Sequence, residues 1–235
     1  MKKKIIITGG SSGIGKFITK KILSENFYVI NLTRKKLNIK SKFYENIIVK
    51  DLTSTTEVDK VFKLIKKRHK KIYALINNAG ATFPGYNLEN FKKNIEINLI
   101  TVFYLSKKVT EIIEKYGKII NISSIASKVA LPNNPGYNAS KSAVNSITRS
   151  FAFDFYKKKI NVNSLILGYF QTKMTKKSFL NKRKKKIINK NNILGRWGRL
   201  NEIWGPIKFL LNKDSNYITG QTLNIDGGWT IKGLK

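Results

Sequence analysis

The chain has 235 residues, 41% of them hydrophobic, with 46 Lys+Arg against 13 Asp+Glu for a formal net charge of +33, one histidine and no cysteine. That length buries a sizeable core and fits a single domain, 1–235, while the lack of cysteine excludes disulfides and thiolate chemistry and, with one histidine, implies no metal site. No apolar run reaches the ~20 residues of a membrane span, and "MKKKIIITGG" turns into glycines before it could serve as a signal-peptide core, so a soluble protein of a reducing cytoplasm is expected.

In chain order, "KKIIITGG" reads as a buried strand ending in glycine, "KFITKKILSEN" as an amphipathic helix and "FYVINLT" as the next strand. Further strands are expected at "NIIVKDL", "YALINNAG", "GKIINISS", "INVNSLILG" and "TLNIDGG". Between them, helices are expected at "TEVDKVFKLIKKRHK", "NIEINLITVFYLSKKVTEIIEKY", "GYNASKSAVNSITRSFAFDFYKK" and "LNEIWGPIKFLLN". This alternation predicts an α/β fold: a doubly wound parallel sheet of Rossmann type with helices on both faces. Only Thr172 to Gly198 breaks the rhythm. His69, inside "KKRHKK", is expected to be a solvated residue of a charged run. The positive charge would suit nucleic acid, an anionic membrane surface or an acidic protein. The lysines are nevertheless spread over nearly every segment and not gathered with aromatics on one motif, which is better explained by codon bias than by a nucleic-acid function.

Several short motifs carry chemistry. In "TGGSSGIG", Thr8 to Gly15, Gly9, Gly13 and Gly15 follow a strand and precede a helix. Glycine there permits a tight turn, lets backbone approach a pyrophosphate and leaves the helix N-terminus aimed at the anion. "NNAG" closes the fourth strand at Asn77 to Gly80, Asn98 lies in "EINLITVF", Ser123 and Ser124 end the fifth strand, and "YNASK" places Tyr137 and Lys141 four residues apart. On a helix those two share a face, and a cation beside a phenol favours the phenolate and lowers its pKa, making Tyr137 a usable general acid and base.

Together these motifs resemble the short-chain dehydrogenase/reductase family over essentially the whole chain, through "GYFQT" at Gly168 to Thr172 and on to "YITGQTLNIDGG". The resemblance implies a catalytic set of Asn98, Ser124, Tyr137 and Lys141. Ser124 is chosen over Ser123 because Tyr137 follows it by the family's separation. Lys141 would also hold the nicotinamide ribose, Ser124 the substrate oxygen, and Asn98 a water linking Lys141 to solvent. The implied cofactor contacts are Gly9, Ser11, Ser12, Gly13, Ile14 and Gly15 on the loop, Asp51 and Leu52 at the adenine, Asn78, Ala79 and Gly80, then Gly168, Phe170 and Thr172, with Tyr137 and Lys141.

Thr33 stands where NAD-preferring relatives carry an acid, and Arg34 and Lys35 follow it. A cation without a carboxylate suits a 2′-phosphate, so NADP(H) is favoured over NAD(H), although Ser12 replaces a basic residue common in NADP-dependent relatives. Leu167 replaces a common proline. Residues 173–198 are expected to form a substrate lid, and "NKRKKK", Asn181 to Lys186, is read equally as a landing site for a phosphate-bearing substrate and as a solvated helix face.

The activity implied is reduction of a ketone, most like the 3-oxoacyl-[acyl-carrier-protein] reductase branch, its substrate carried on acyl carrier protein or coenzyme A. The alternatives are a sugar or nucleotide-sugar ketone and a non-catalytic NADP-sensing or nucleic-acid-binding protein. A homotetramer is implied, assembled against the self-repulsion of a +33 subunit.

Overall fold

Short runs of isoleucine, leucine and valine bounded by glycine and polar turns are the composition of strands covered on both faces. In the computed structural model, which describes residues 2–172 and 174–233, they are β1 (Lys4–Thr8), β2 (Tyr28–Thr33), β3 (Tyr44–Ile48), β4 (Ile72–Asn77), β5 (Ile113–Ser124), β6 (Asn161–Leu167) and β7 (Thr222–Ile225). All pair in parallel, in the order β3-β2-β1-β4-β5-β6-β7. The order reverses between β1 and β4, and in such sheets the crevice above that point, at the carboxyl ends of the strands, receives ligands.

Alternation along each strand splits the core in two. Ile6, Leu32, Leu75 and Ile119 face α2 (Thr55–His69), α4 (Thr101–Val109) and α5 (Pro135–Asp154). Ile5, Ile7, Ile76 and Ile122 face α1 (Gly13–Ser24) and α8 (Asn201–Leu211). Ile5, Ile6 and Ile7 are wholly buried, each worth ~1.5–3 kcal/mol of transfer free energy. No helix among the described residues is long and apolar enough to cross a membrane.

The expected helix from Asn94 to Tyr116 is the largest departure. Helix α3 (Leu88–Ile95) begins earlier, because the Asn87 side chain caps it by accepting from the Asn90 N–H at 2.8 Å. A π-turn (Glu96–Ile100) joins it to α4, which stops at Val109. The apolar pair beyond is taken by the core: Ile112 is buried and Ile113 pairs with Ile72 on β4. Pairing resumes at Ala74 and Lys118, and the extra residues loop out through Tyr116 in the left-handed region (φ 64°). The other helices differ from expectation by a few residues at their ends. Residues 174–198 include α6 (Lys176–Leu180) and α7 (Lys182–Asn191), the latter capped by Asn181; Lys173, the first residue of the expected lid, lies outside the described residues, as do Met1, Leu234 and Lys235.

His69 is not solvated as expected. Its side chain is 9% exposed, pairs with Glu45 at 2.7 Å and packs on the Tyr28 ring, at the end of the sheet opposite the carboxyl ends of the strands. The Glu45 carboxylate, brought by β3, supplies the partner that the local run of lysines lacks.

Most lysines are on the surface, but Lys118 on β5 is 1% exposed. Its ammonium donates to Asn161 Oδ1 at 2.7 Å and Asn216 Oδ1 at 2.6 Å, neutral partners that leave the charge uncompensated. Burial first, and Lys3 nearby second, pull it down from the ordinary lysine value to about 8. Between about pH 8 and 10.5 the unfolded chain keeps this proton while the folded chain sheds it, so stability rises with pH across that window. The melting temperature of the wild type is therefore expected to climb more steeply between about pH 8 and 9.5 than that of Lys118→Met. Parallel melting curves for the two proteins would contradict this.

Candidate functional site

The glycine loop is fixed by groups on either side of it. Gly9 (φ +67°) and Gly13 (φ +50°) are in the left-handed region. A Cβ on Gly15 would run into the Gly9 carbonyl oxygen and the Asn78 amide, and one on Gly10 into the side chains of Thr19 and Asn31. Thr8 Oγ1 accepts the N–H groups of Asn78 (3.0 Å) and Ala79 (2.9 Å), and Asn78 Nδ2 donates back to Thr8 O at 2.9 Å, tying the ends of β1 and β4 together. The first turn of α1 has no acidic residue and no side-chain cap, which leaves its N–H groups for an anion. Thr172, from the loop after β6, lies over this turn with its Cβ 3.8 Å from where a Gly13 Cβ would sit. A cradle that a single methyl would fill, at a bare helix N-terminus, fits a pyrophosphate, and so fits the dinucleotide expected from the motif.

The rim holds the other expected cofactor contacts, with different freedoms. Ser11 and the buried Thr33 share a hydrogen bond of 2.6 Å between hydroxyls, while Arg34 and Lys35 are exposed and stand in no ion pair among the described residues. Ser12 caps nothing with its side chain, and Ile14 packs partly on the core. Asp51 is exposed, one carboxylate oxygen accepting both N–H and hydroxyl of Thr53 at 2.8 Å. Leu52 is a core residue whose carbonyl accepts from Thr101. Gly168 approaches Asp226 too closely for any Cβ, a packing role, and the Phe170 ring is buried against Gly198.

Strand β5 and helix α5 bring the expected catalytic side chains together. Alternation along β5 sends Ser123 into the core, where it donates to Lys141 O at 3.3 Å, and leaves Ser124 partly exposed above it. Lys141, 5% exposed, donates to Ile122 O at 3.0 Å with its Nζ 5.9 Å from the Tyr137 ring centre. Asn98 is wholly buried in the π-turn. Its side chain is spent on Ala81, donating to the carbonyl at 2.8 Å and accepting from the N–H at 3.1 Å. Gly80 sits between Asn98 and Lys141: a Cβ there would lie 2.8 Å from Asn98 Oδ1 and 3.5 Å from Lys141 Nζ. The extra residue of the π-turn is what aims Asn98 at this point, and Thr101 stabilises the turn by donating to Glu96 O at 3.1 Å.

Electrostatically the pair differs from expectation. Burial pushes the Tyr137 phenol up, with Ser124 beside it acting the other way and Tyr169 adding to the rise. Burial likewise pulls the Lys141 ammonium down, to about 8. Desolvation is the largest influence on both groups, raising the phenol and lowering the ammonium. A partly buried phenol beside a partly exposed serine hydroxyl can stabilise negative charge developing on a carbonyl oxygen.

Beneath these groups, Asn77 donates to Asn121 Oδ1 (2.8 Å) and Ser106 (3.0 Å), and Asn121 donates to Thr148 (2.9 Å). This buried chain holds β4, β5, α4 and α5 in register. The motifs do not signal this chain or Asn31; "TGGSSGIG" contains Thr8 without showing its bond to β4, and "NNAG" contains the first member of the chain, whose inward direction follows from strand alternation.

A family profile described as Enoyl-(Acyl carrier protein) reductase matches residues 9–230. The 3-oxoacyl-[acyl-carrier-protein] reductase of Thermotoga maritima is 30% identical over 97% of this chain and 98% of its own. The 2-dehydro-3-deoxy-D-gluconate 5-dehydrogenase of Dickeya dadantii is 37% identical over 69% of this chain and 67% of its own. Among solved structures, 4-hydroxyisoleucine dehydrogenase complexed with NADH superposes with a TM-score of 0.91 at 32% identity, over 98% of this chain and 100% of that one. The chain belongs to the short-chain dehydrogenase/reductase family. It is an oxidoreductase acting on the CH–OH/C=O pair, in a family that uses NAD(P)(H).

Proposed function

We propose that this protein is an NADP(H)-dependent reductase of a 3-oxoacyl thioester carried on acyl carrier protein or coenzyme A, working in the cytoplasm with Tyr137 as general acid and base. The observation that carries it is the convergence of Ser124, Tyr137 and Lys141 beside a glycine cradle on the same edge of the sheet. When bound, the nicotinamide supplies a hydride to the carbonyl carbon. Ser124 donates to the substrate oxygen and Tyr137 delivers its proton there as charge develops, so both act more strongly on the transition state than on the ketone. Lys141 steadies the phenol and holds the ribose hydroxyls, and Asn98 fixes the Ala81 backbone beside them. The thioester reading is supported by the Thermotoga relative.

A second substrate reading, a keto-sugar acid, is favoured by the Dickeya relative, with the same chemistry at Tyr137. NADPH oxidation followed at 340 nm with an acetoacetyl thioester and a panel of keto-sugars separates them: turnover of the thioester supports the first reading, and activity confined to keto-sugars the second. The intact catalytic set argues against a pure cofactor sensor or nucleic-acid binder, which has no use for the phenol.

The preference for NADP(H) rests on Arg34, a free cation where a ribose 2′-phosphate would lie. Arg34→Asp is expected to lower kcat/KM with NADPH by about 100-fold, the loss of a charge-assisted contact plus repulsion, while NADH activity holds or rises. An unchanged ratio of the two cofactors would remove Arg34 from the assignment. A homotetramer is supported by exposed Phe103, Phe153 and Tyr156 around α4 and the end of α5 and by Leu223 and Ile231 near the C-terminus.

A further inference from the structure

Every crossover of the sheet but one carries a helix: β2 passes to β3 through residues 34–43 with none. Parallel strands are normally joined by a helix, which buries the face it crosses. On this face stand Asn31 on β2 and Tyr44 and Asn46 on β3, and they bond to one another. Asn31 and Asn46 are partners in the strand register. Asn31 Nδ2 donates to the Tyr44 hydroxyl at 2.9 Å and to Asn46 Oδ1 at 3.1 Å, and the Tyr44 hydroxyl donates to Asn46 Oδ1 at 2.7 Å. Asn46 then clamps the crossover, donating to Leu37 O at 2.9 Å and accepting from the Leu37 N–H at 3.4 Å, with the Leu37 side chain buried. These bonds stand where a helix would supply apolar packing.

At its other end the network reaches the glycine loop. Three successive loop residues are bonded to β2: Gly9 N–H donates to Leu32 O at 2.8 Å, Gly10 N–H to Asn31 Oδ1 at 2.9 Å, and the Ser11 and Thr33 hydroxyls meet at 2.6 Å. Asn31 is wholly buried and fits because residue 10 has no side chain: a Cβ there would lie 2.5 Å from Asn31 Oδ1. Two of the three ties continue into the crossover. Thr33 goes on to the Lys35 backbone, at 3.2 and 3.4 Å, and Asn31 goes on through Tyr44 and Asn46 to Leu37. The exposed Arg34 lies on the segment so held.

We propose that Asn31 is a positioning residue of the cofactor site. Through Tyr44 and Asn46 it indexes the glycine loop against the helix-free crossover, so that the pyrophosphate cradle and the Arg34 guanidinium keep a fixed separation. The inference rests on reading the loop as that cradle and Arg34 as the contact of a ribose 2′-phosphate. A crossover helix would set the separation by its own stiffness. Here a network of partnered amides and a hydroxyl sets it.

Fluorescence titration of NADPH and NADH, with amide hydrogen exchange read at Gly10, tests this without turnover. Asn31→Val is expected to raise both dissociation constants about tenfold and to speed exchange at Gly10, while the Asn78 and Ala79 amides, held by Thr8, keep their protection. Asn46→Val leaves the Gly10 bond in place and frees the crossover, so it should weaken NADPH about fivefold and NADH less than about twofold. Ile65→Ala truncates the core on the opposite face of the sheet and should leave both constants within about twofold, despite its cost in stability. Equal weakening in Ile65→Ala would reduce Asn31 to a stability role and overturn the proposal. Wild-type affinity in Asn31→Val would overturn it as well; if Gly15→Ala also binds NADPH normally, the reading of the loop as the cradle falls with it, and otherwise that reading stands. A loss in Asn46→Val shared equally by the two cofactors breaks the link to the crossover if Arg34→Asp still separates them. If Arg34→Asp does not separate them, the 2′-phosphate reading fails with it.

Discussion

Tyr137→Phe is expected to lower kcat/KM for carbonyl reduction by about 10²–10⁴-fold, the usual worth of a positioned general acid. NADPH affinity should change little, because the substitution removes only the hydroxyl. The ring keeps its place in the first turn of α5, and Lys141 keeps its bond to Ile122 O, which does not involve the phenol. What is lost is the hydroxyl proton, whose retention burial favours. Steady-state kinetics beside a fluorescence titration of NADPH check both halves. Activity retained within about tenfold, with cofactor binding unchanged, would remove the phenol from the reaction.

Gly15→Ala is expected to raise the NADPH dissociation constant by about 100-fold or more, with a stability loss of about 1–3 kcal/mol from overpacking. The added methyl meets a backbone carbonyl, that of Gly9, and the Asn78 amide, which is already bonded to Thr8 O. Neither can swing aside as the end of a long side chain could, so relief requires the loop to open or α1 to shift, and either spoils the cradle. Fluorescence titration and thermal melting read the two effects separately. Wild-type affinity in this variant would mean that the pyrophosphate does not lie on this loop.

Much of this was legible in the sequence because it rests on local patterns. All seven strands fall on segments expected from the sequence, most of them apolar runs, and the parallel sheet follows from the strand–helix rhythm, while the order of its strands does not. Tyr137 and Lys141 share a helix face by spacing alone. Other features depend on what the fold brings from afar. The end of α4 was misread because Ile112 and Ile113 continue a helical pattern that the sheet then claims for itself. His69 is packed because β3 delivers Glu45 from 24 residues away. The rise of the Tyr137 phenol reflects the protein mass around it, which no spacing reveals, whereas the lowering expected from Lys141 counted only the neighbouring cation. Trp197, buried against Tyr169 and Phe179, is a residue that no motif singled out beyond its place in "GRWGRLNEI".

The central claim is that this chain moves a hydride between a nicotinamide and a carbonyl carbon with Tyr137 handling the proton. The measurement that tests it most directly is mass spectrometry of the product formed from NADPH carrying deuterium at both C4 positions, with acetoacetyl thioester and keto-sugar acids as substrates. The account predicts one deuterium on the former carbonyl carbon of a product alcohol with the wild-type protein, and its near absence with Tyr137→Phe. NADPH bound by the wild type with no deuterium reaching any of these ketones would contradict it.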